Sequence, residues 1–175
     1  MSADFSQVLQ QTLKDIRIEL SDVFDKNFEK KSFFAEAWRR EQADPGLGSL
    51  MMRTGTLRRS IRSQINGNVI EFYSEHPGAA LHNEGGAIIV TARMKRFFWA
   101  KYYEMAGRTS RSKANESKAK IAEYYKALAL KKVGDKITLP KRQFLGYAPE
   151  VEVTVRKIIE ENLHQYFNKI DFTKK

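Results

Sequence analysis

Arg53-Thr-Gly-Thr-Leu-Arg-Arg-Ser-Ile-Arg-Ser-Gln-Ile-Asn-Gly-Asn-Val-Ile-Glu-Phe-Tyr73 is the stretch that decides the fold class. Ile61, Ser63 and Ile65 alternate with Arg62 and Gln64, the period of a half-buried strand. Asn66-Gly67 supplies a tight-turn dipeptide, and 69–73 returns as a second strand. Downstream, His76-Pro77-Gly78 ends the hairpin and Ala80-Leu-His-Asn-Glu-Gly-Gly86 leads to a third strand over 87–91. A short fourth, Ile137-Thr138-Leu139, is stopped by Pro140. Four short strands inside a chain otherwise helical in pattern predict an α+β fold.

Upstream, Phe5, Val8, Leu9, Leu13, Ile16, Leu20, Val23 and Phe24 recur at three- and four-residue steps, with Ser2 placed to cap the start. Charged residues fill the other face, so this is one amphipathic helix. Helical character weakens over 27–32, and Phe33, Phe34, Ala37 and Trp38 make an aromatic patch. The Asp44-Pro-Gly-Leu-Gly48 break reads as a mobile loop. A last helix begins at Pro149, with Glu150 and Glu152 suiting its dipole and Val151, Val155, Ile158, Ile159, Leu163 and Tyr166 as its stripe. The lysine-rich tail should fray.

Between the third and fourth strands lies an interruption. Met94, Phe97, Phe98, Tyr102 and Met105 keep helical spacing, as do Ile121, Tyr124, Tyr125 and Leu128, with a polar, flexible separator over 107–117 and Gly134 as a stop. The charge lies here. Residues 93–142 hold fifteen Lys and Arg against four Asp and Glu; since the whole chain nets +10, the remainder nets −1. A field concentrated in one region attracts a polyanion or an acidic protein surface.

Composition excludes several classes. With 175 residues and a 42% hydrophobic fraction the chain suits one domain over 1–175 with a real core, the helical insertion covering about 93–136. There is no apolar run of membrane-spanning length, no signal-peptide pattern after Met1, and no Cys for a disulfide framework, which suits a reducing cytoplasm.

Catalytic patterns are missing. His82-Asn83-Glu84 is superficially like a metal-nuclease constellation, but a second His/Asp/Glu cluster does not stand nearby. His82 reads as a hydrogen-bonding residue organising the Gly85-Gly86 turn, and His164 as a surface residue. Gly46-x-Gly48 and Gly85-Gly86 lack the phosphate-loop context, and no Ser stands in a nucleophile elbow. The expectation is a protein that is not an enzyme, with no cofactor and no metal. Direct binding would fall to the insertion. Arg93, Lys95, Arg96, Lys101, Arg108, Arg111, Lys113, Lys118 and Lys120 are the candidate polyanion contacts, with Trp99 and the tyrosines as stacking groups. Phe97, Phe98, Tyr124 and Tyr125 fit the helices' apolar stripe and are expected in the core. A nucleic-acid-binding module using 93–142 is the alternative function.

Three phrases in fixed order, Arg53-Thr-Gly-x-Leu-x-x-Ser-Ile61, Ala80-Leu-His-Asn-x-Gly-Gly86 and Pro140-x-Arg-x-Phe-Leu-Gly146, resemble the phage virion morphogenesis, or tail completion, family, which includes Mu-like G proteins and S-type tail completion proteins. The resemblance implies a small antiparallel sheet flanked by N- and C-terminal helices. It also implies a structural virion component, made in the bacterial host cytoplasm, that acts at the head–tail junction or tail end, commonly as a ring of its own copies, against other head–tail or tail proteins; DNA enters as a candidate partner only through the charge of the insertion. By position, Arg53, Gly55, Leu57 and Ser60 would shape the turn into the first strand. His82, Asn83, Gly85 and Gly86 would shape the loop before the third, and Pro140, Arg142, Phe144, Leu145 and Gly146 the approach to the last helix. The chain departs from the family at Gly78-Ala79-Ala80, where an aromatic residue commonly precedes the Ala-x-His stretch, and in the length of its insertion.

Overall fold

The computed structural model describes residues 5–39, 49–106 and 113–169. Ser2, the 44–48 break, Arg108, Arg111 and the terminal lysines lie outside the described residues. The elements run α1 (Phe5–Lys30), β1 (Ser32–Phe33), β2 (Glu36–Ala37), α2 (Thr56–Arg59), β3 (Ile61–Asn66), β4 (Val69–Ser74), α3 (Ala79–Glu84), β5 (Gly86–Ile89), α4 (Ala92–Ala106), α5 (Lys113–Leu130), β6 (Lys136–Leu139) and α6 (Pro149–Lys169). The strands pair antiparallel as β1–β2, β3–β4 and β5–β6, with helices before and after: an α+β fold. The backbone divides into two compact units, one of 1–38, 55–79 and 143–175, the other of 39–54 and 80–142.

In the first unit, α1 buries Leu13, Ile16, Leu20, Phe24 and Phe28 at the spacing that makes one face of a helix. Ile16, Leu20, Phe24, Phe33 and Ala148 form its core, with Phe72 of β4 and Val151, Val155 and Ile158 of α6 packed against them. Phe24 meets Phe72 edge-on at 5.2 Å, an arrangement that aromatic quadrupoles favour. Asn162 of α6 donates to Asp15 Oδ2 (2.8 Å) and Thr12 Oγ1 (3.2 Å), fixing α6 along α1. The α6 stripe is half-buried or exposed throughout: no α6 residue is fully covered.

Two features of this unit were hidden in the sequence. Where helical character weakens, α1 turns through Lys31 (φ 56°) into the β1–β2 hairpin, whose loop residue Phe34 also has positive φ (51°). Asn27 makes that turn possible. It is buried in α1, and its Oδ1 accepts the Phe34 N–H at 3.2 Å. The second difference is a one-residue shift of the β3–β4 turn. Asn66 pairs with Val69, so the loop is Gly67-Asn68, with Gly67 at φ 61° in the first loop position. A type II′ connection takes glycine there, which explains the shift from the expected Asn66-Gly67.

In the second unit, β5 and β6 pair from Gly86↔Leu139 to Ile89↔Lys136, and the helical hairpin α4–α5 leaves and returns between them. The third strand is shorter than 87–91 suggests. Val90 is fully buried but bonds to Asp135, beyond the ladder. The α5 helix starts at Lys113, four residues before the end of the polar separator: alanine, lysine and glutamate sustain a helix without an apolar period. The hairpin is thinly covered. Phe98, Ala122 and Ala129 are buried, whereas Phe97 is 51% exposed with its ring edge-on to Phe98 and Tyr125. Phe97 is therefore a surface residue, because it stands about a quarter turn away from the buried Phe98 line.

Candidate assembly surfaces

The first phrase builds a clasp. Gly55 (φ 68°) precedes the single turn of α2, where Arg59 N–H bonds back to Gly55 O at 3.0 Å. Leu57 is buried, and Ser60 closes the turn through Oγ to Leu57 O at 2.7 Å. The same hydroxyl meets Ser74 Oγ at 2.7 Å, and Ser60 O accepts the Glu75 N–H at 3.1 Å, so the open end of the β3–β4 hairpin is tied shut. Arg58, an unspecified position within the phrase, ties it to α1. Its Nε and Nη2 donate to both oxygens of Asp25, and Nη2 reaches Glu29 Oε1 at 2.8 Å. That bidentate bond holds the Asp25 carboxyl below its usual range, against the opposing effect of burial. Nothing in the spacing distinguishes Arg58 from Arg59. Arg53 belongs to the other unit, just after the 49–52 turn in which Met52 N–H bonds to Ser49 O at 2.9 Å.

The second phrase is mostly helix. His82 and Asn83 lie on α3, where a loop was expected; the run Ala79–Glu84 is long enough for a turn and a half, closed by Gly85 at φ 76°. The third phrase lies along it. Arg142 N–H bonds to His82 O at 2.9 Å, and the Arg142 side chain, buried to 2% exposure, donates through Nε to Arg39 O at 3.1 Å. Gly85 is required by contact as well as by φ: a Cβ there would stand 2.7 Å from Lys141 N and 3.0 Å from Lys141 Cα. Pro140 ends β6, as a residue without an N–H must. Gln143, Phe144, Leu145 and Gly146 belong to the first unit. There Phe144 is 1% exposed with its ring 5.2 Å from Phe28, Leu145 packs on the core, and Gln143 O accepts the Trp38 indole N–H at 2.6 Å. The motif residues thus sit mainly in backbone clasps and core. Among the described residues no group of three or more His, Asp or Glu side chains is arranged to hold a metal ion.

The described candidate polyanion contacts are spread over two helices. Arg93, Lys95, Arg96 and Lys101 are on α4, and Lys118 and Lys120 on α5; the side chain of Lys113 is outside the described set. Lys101 is taken by Glu104 at 2.7 Å, and that bond, above all, raises its pKa. Trp99, Tyr102 and Tyr103 form a ring cluster with centroids 5.2–5.8 Å apart, and Lys126 Nζ lies 5.8 Å from the Tyr102 centroid. Lys131, Lys132 and Lys136, outside the candidate set, follow α5, with Lys136 opening β6. None of the described helices is long and apolar enough to cross a membrane.

No curated protein and no solved structure shows significant similarity to the chain. A family model does match, over residues 31–164, a span that contains all three phrases and begins just after α1. On that match, the chain belongs to the phage virion morphogenesis family.

Proposed function

We propose that the chain is a structural subunit that completes the tail or neck at the head–tail junction by assembling with copies of itself and with neighbouring virion proteins. Family membership supports a structural role in virion assembly and contact with other virion proteins, and it fits a non-enzymatic virion component. The observation that carries the finer reading is the state of the sheet edges. Among the described residues every sheet has two strands, and β4 presents Val69 and Tyr73 to solvent. A strand edge left unpaired is a template for another chain, and a head-to-tail contact between identical subunits makes a ring when its rotation closes. The α6 helix adds exposed Val153 and Phe167 to the same unit.

The test is deletion of the gene from an inducible phage, followed by electron microscopy and plaque assay. Unjoined heads and tails, restored by the gene in trans, are expected. Normal infectious tailed particles would rule the function out. Light scattering of the purified chain with its neighbouring gene products reports the ring.

A further inference from the structure

We propose that the strand-anchored end of the α4–α5 hairpin, where α4 begins and α5 finishes, is a docking surface for duplex DNA, contacted through phosphates. Val90 N–H bonds to Asp135 O at 2.8 Å and Gly134 N–H to Val90 O at 2.9 Å. These bonds bring together the start of α4, with Arg93, Lys95 and Arg96, and the segment after α5, with Lys131, Lys132 and Lys136. Over 85–99 and 130–142 the one acidic residue is Asp135, and its carboxylate accepts the Lys132 backbone N–H at 2.8 Å. The acids of the hairpin, Glu104, Glu116 and Glu123, stand further along it, where Lys101 and Lys126 are paired. None of the six cations at the strand-anchored end has an ion pair with a described residue.

Six like charges fixed at one end of a rigid hairpin repel one another, and no feature of the unit's packing requires them. The same end of a second copy carries the same sign and cannot cover it. The partner is therefore an outside polyanion. The charged end is made of cations rather than rings: Trp99, Tyr102 and Tyr103 follow Arg96 along α4 and pack on one another. Cations on rigid elements suit the fixed phosphates of a duplex, read without regard to sequence. This inference does not depend on the ring or on its place in the particle.

The experiment is fluorescence anisotropy with the full chain and a fluorescein-labelled duplex of about 24 base pairs at about 50–200 mM salt. A steep loss of affinity with salt is expected, with a log–log slope of roughly −3 to −5. Combining Lys131→Gln, Lys132→Gln and Lys136→Gln should weaken binding by about tenfold or more and make the slope shallower by about 3. Combining Lys14→Gln, Lys30→Gln and Lys169→Gln, the same change in charge on the other unit, should leave both nearly unchanged. The exposed pair Arg93→Gln with Arg96→Gln gives a second reading if the first triple variant misfolds by circular dichroism. Equal losses in the two triple variants, absent binding at the lowest salt, or tighter binding of a single strand of equal length each overturn the proposal. Polyglutamate of matched charge displacing the duplex at equal or better affinity overturns it in favour of an acidic protein surface.

Discussion

Arg58 of α2 holds Asp25 of α1 by a bidentate bond and extends the same Nη2 to Glu29, one helical turn further along α1. Two carboxylates one turn apart repel, and the guanidinium between them converts that repulsion into a clamp on a helix only four residues long. Arg58→Ala is expected to cost about 1 kcal/mol by urea denaturation, near the upper end for exposed pairs because the Asp25 side chain is 47% exposed. Arg58→Lys should recover only part of it, since an ammonium cannot grip both oxygens. Because the folded-state pKa of Asp25 lies below its usual 3.8, this stabilisation is complete above that pH and is lost as pH falls through the lowered value. The melting temperatures of wild type and Arg58→Ala should therefore converge in acid and run parallel at neutral pH. A gap that stays constant throughout contradicts the pairing.

Gly85 and Gly67 both have positive φ but differ in surroundings. A Cβ on Gly67 meets nothing within 4 Å, whereas one on Gly85 meets the Lys141 backbone at 2.7 Å. Gly67→Ala should cost about 1 kcal/mol, the conformational part alone. Gly85→Ala should exceed it by about 1–3 kcal/mol, since backbone must move. Thermal unfolding of the two variants gives the comparison, and equal shifts would mean that the Gly85 contact relaxes freely.

The long helices and the β3–β4 hairpin were legible because an apolar period of three to four, or of two, survives in the sequence itself. Glycine and proline likewise marked the ends of the three phrases. The β1–β2 hairpin was not legible: its strands are two residues long, and its turn rests on Asn27, whose side chain acts on Phe34 seven positions away. The α3 helix escaped because six residues between Gly78 and Gly85 are too few to show a period. The basic region was visible as composition, but composition cannot separate Lys101, neutralised by Glu104, from Lys131 and Lys132. Backbone bonds at Val90 make that distinction by drawing the two ends of the hairpin together. The role of Arg58 is equally three-dimensional, since its partners lie 33 and 29 residues away.

Phe144 and Phe97 test where the cores lie. Phe144 is 1% exposed against Phe28, while Phe97 is half in solvent. Phe144→Ala should cost about 3–5 kcal/mol, combining lost transfer energy and a cavity. Phe97→Ala should cost about 1 kcal/mol or less, because its edge contacts with Phe98 and Tyr125 are made on one side only. Comparable losses in denaturant midpoint would show that Phe97 is covered in the folded protein.

Trp38 gives a prediction with two independent readouts. Its indole N–H donates to Gln143 O at 2.6 Å, and its ring stands edge-on to Phe28 at 5.4 Å. Trp38→Phe keeps an aromatic ring in place but removes the donor, leaving that carbonyl without it and a small void beside Phe28. The expected loss is about 2–3 kcal/mol, roughly half from the bond and half from the void. The chain has two Trp, and Trp38 is the buried one, Trp99 being half-exposed in the second unit. The folded variant should therefore emit further to the red than wild type, because the remaining indole is partly in water. An unchanged emission maximum would place Trp38 in solvent, and an unchanged midpoint would mean that the bond to Gln143 adds nothing to stability.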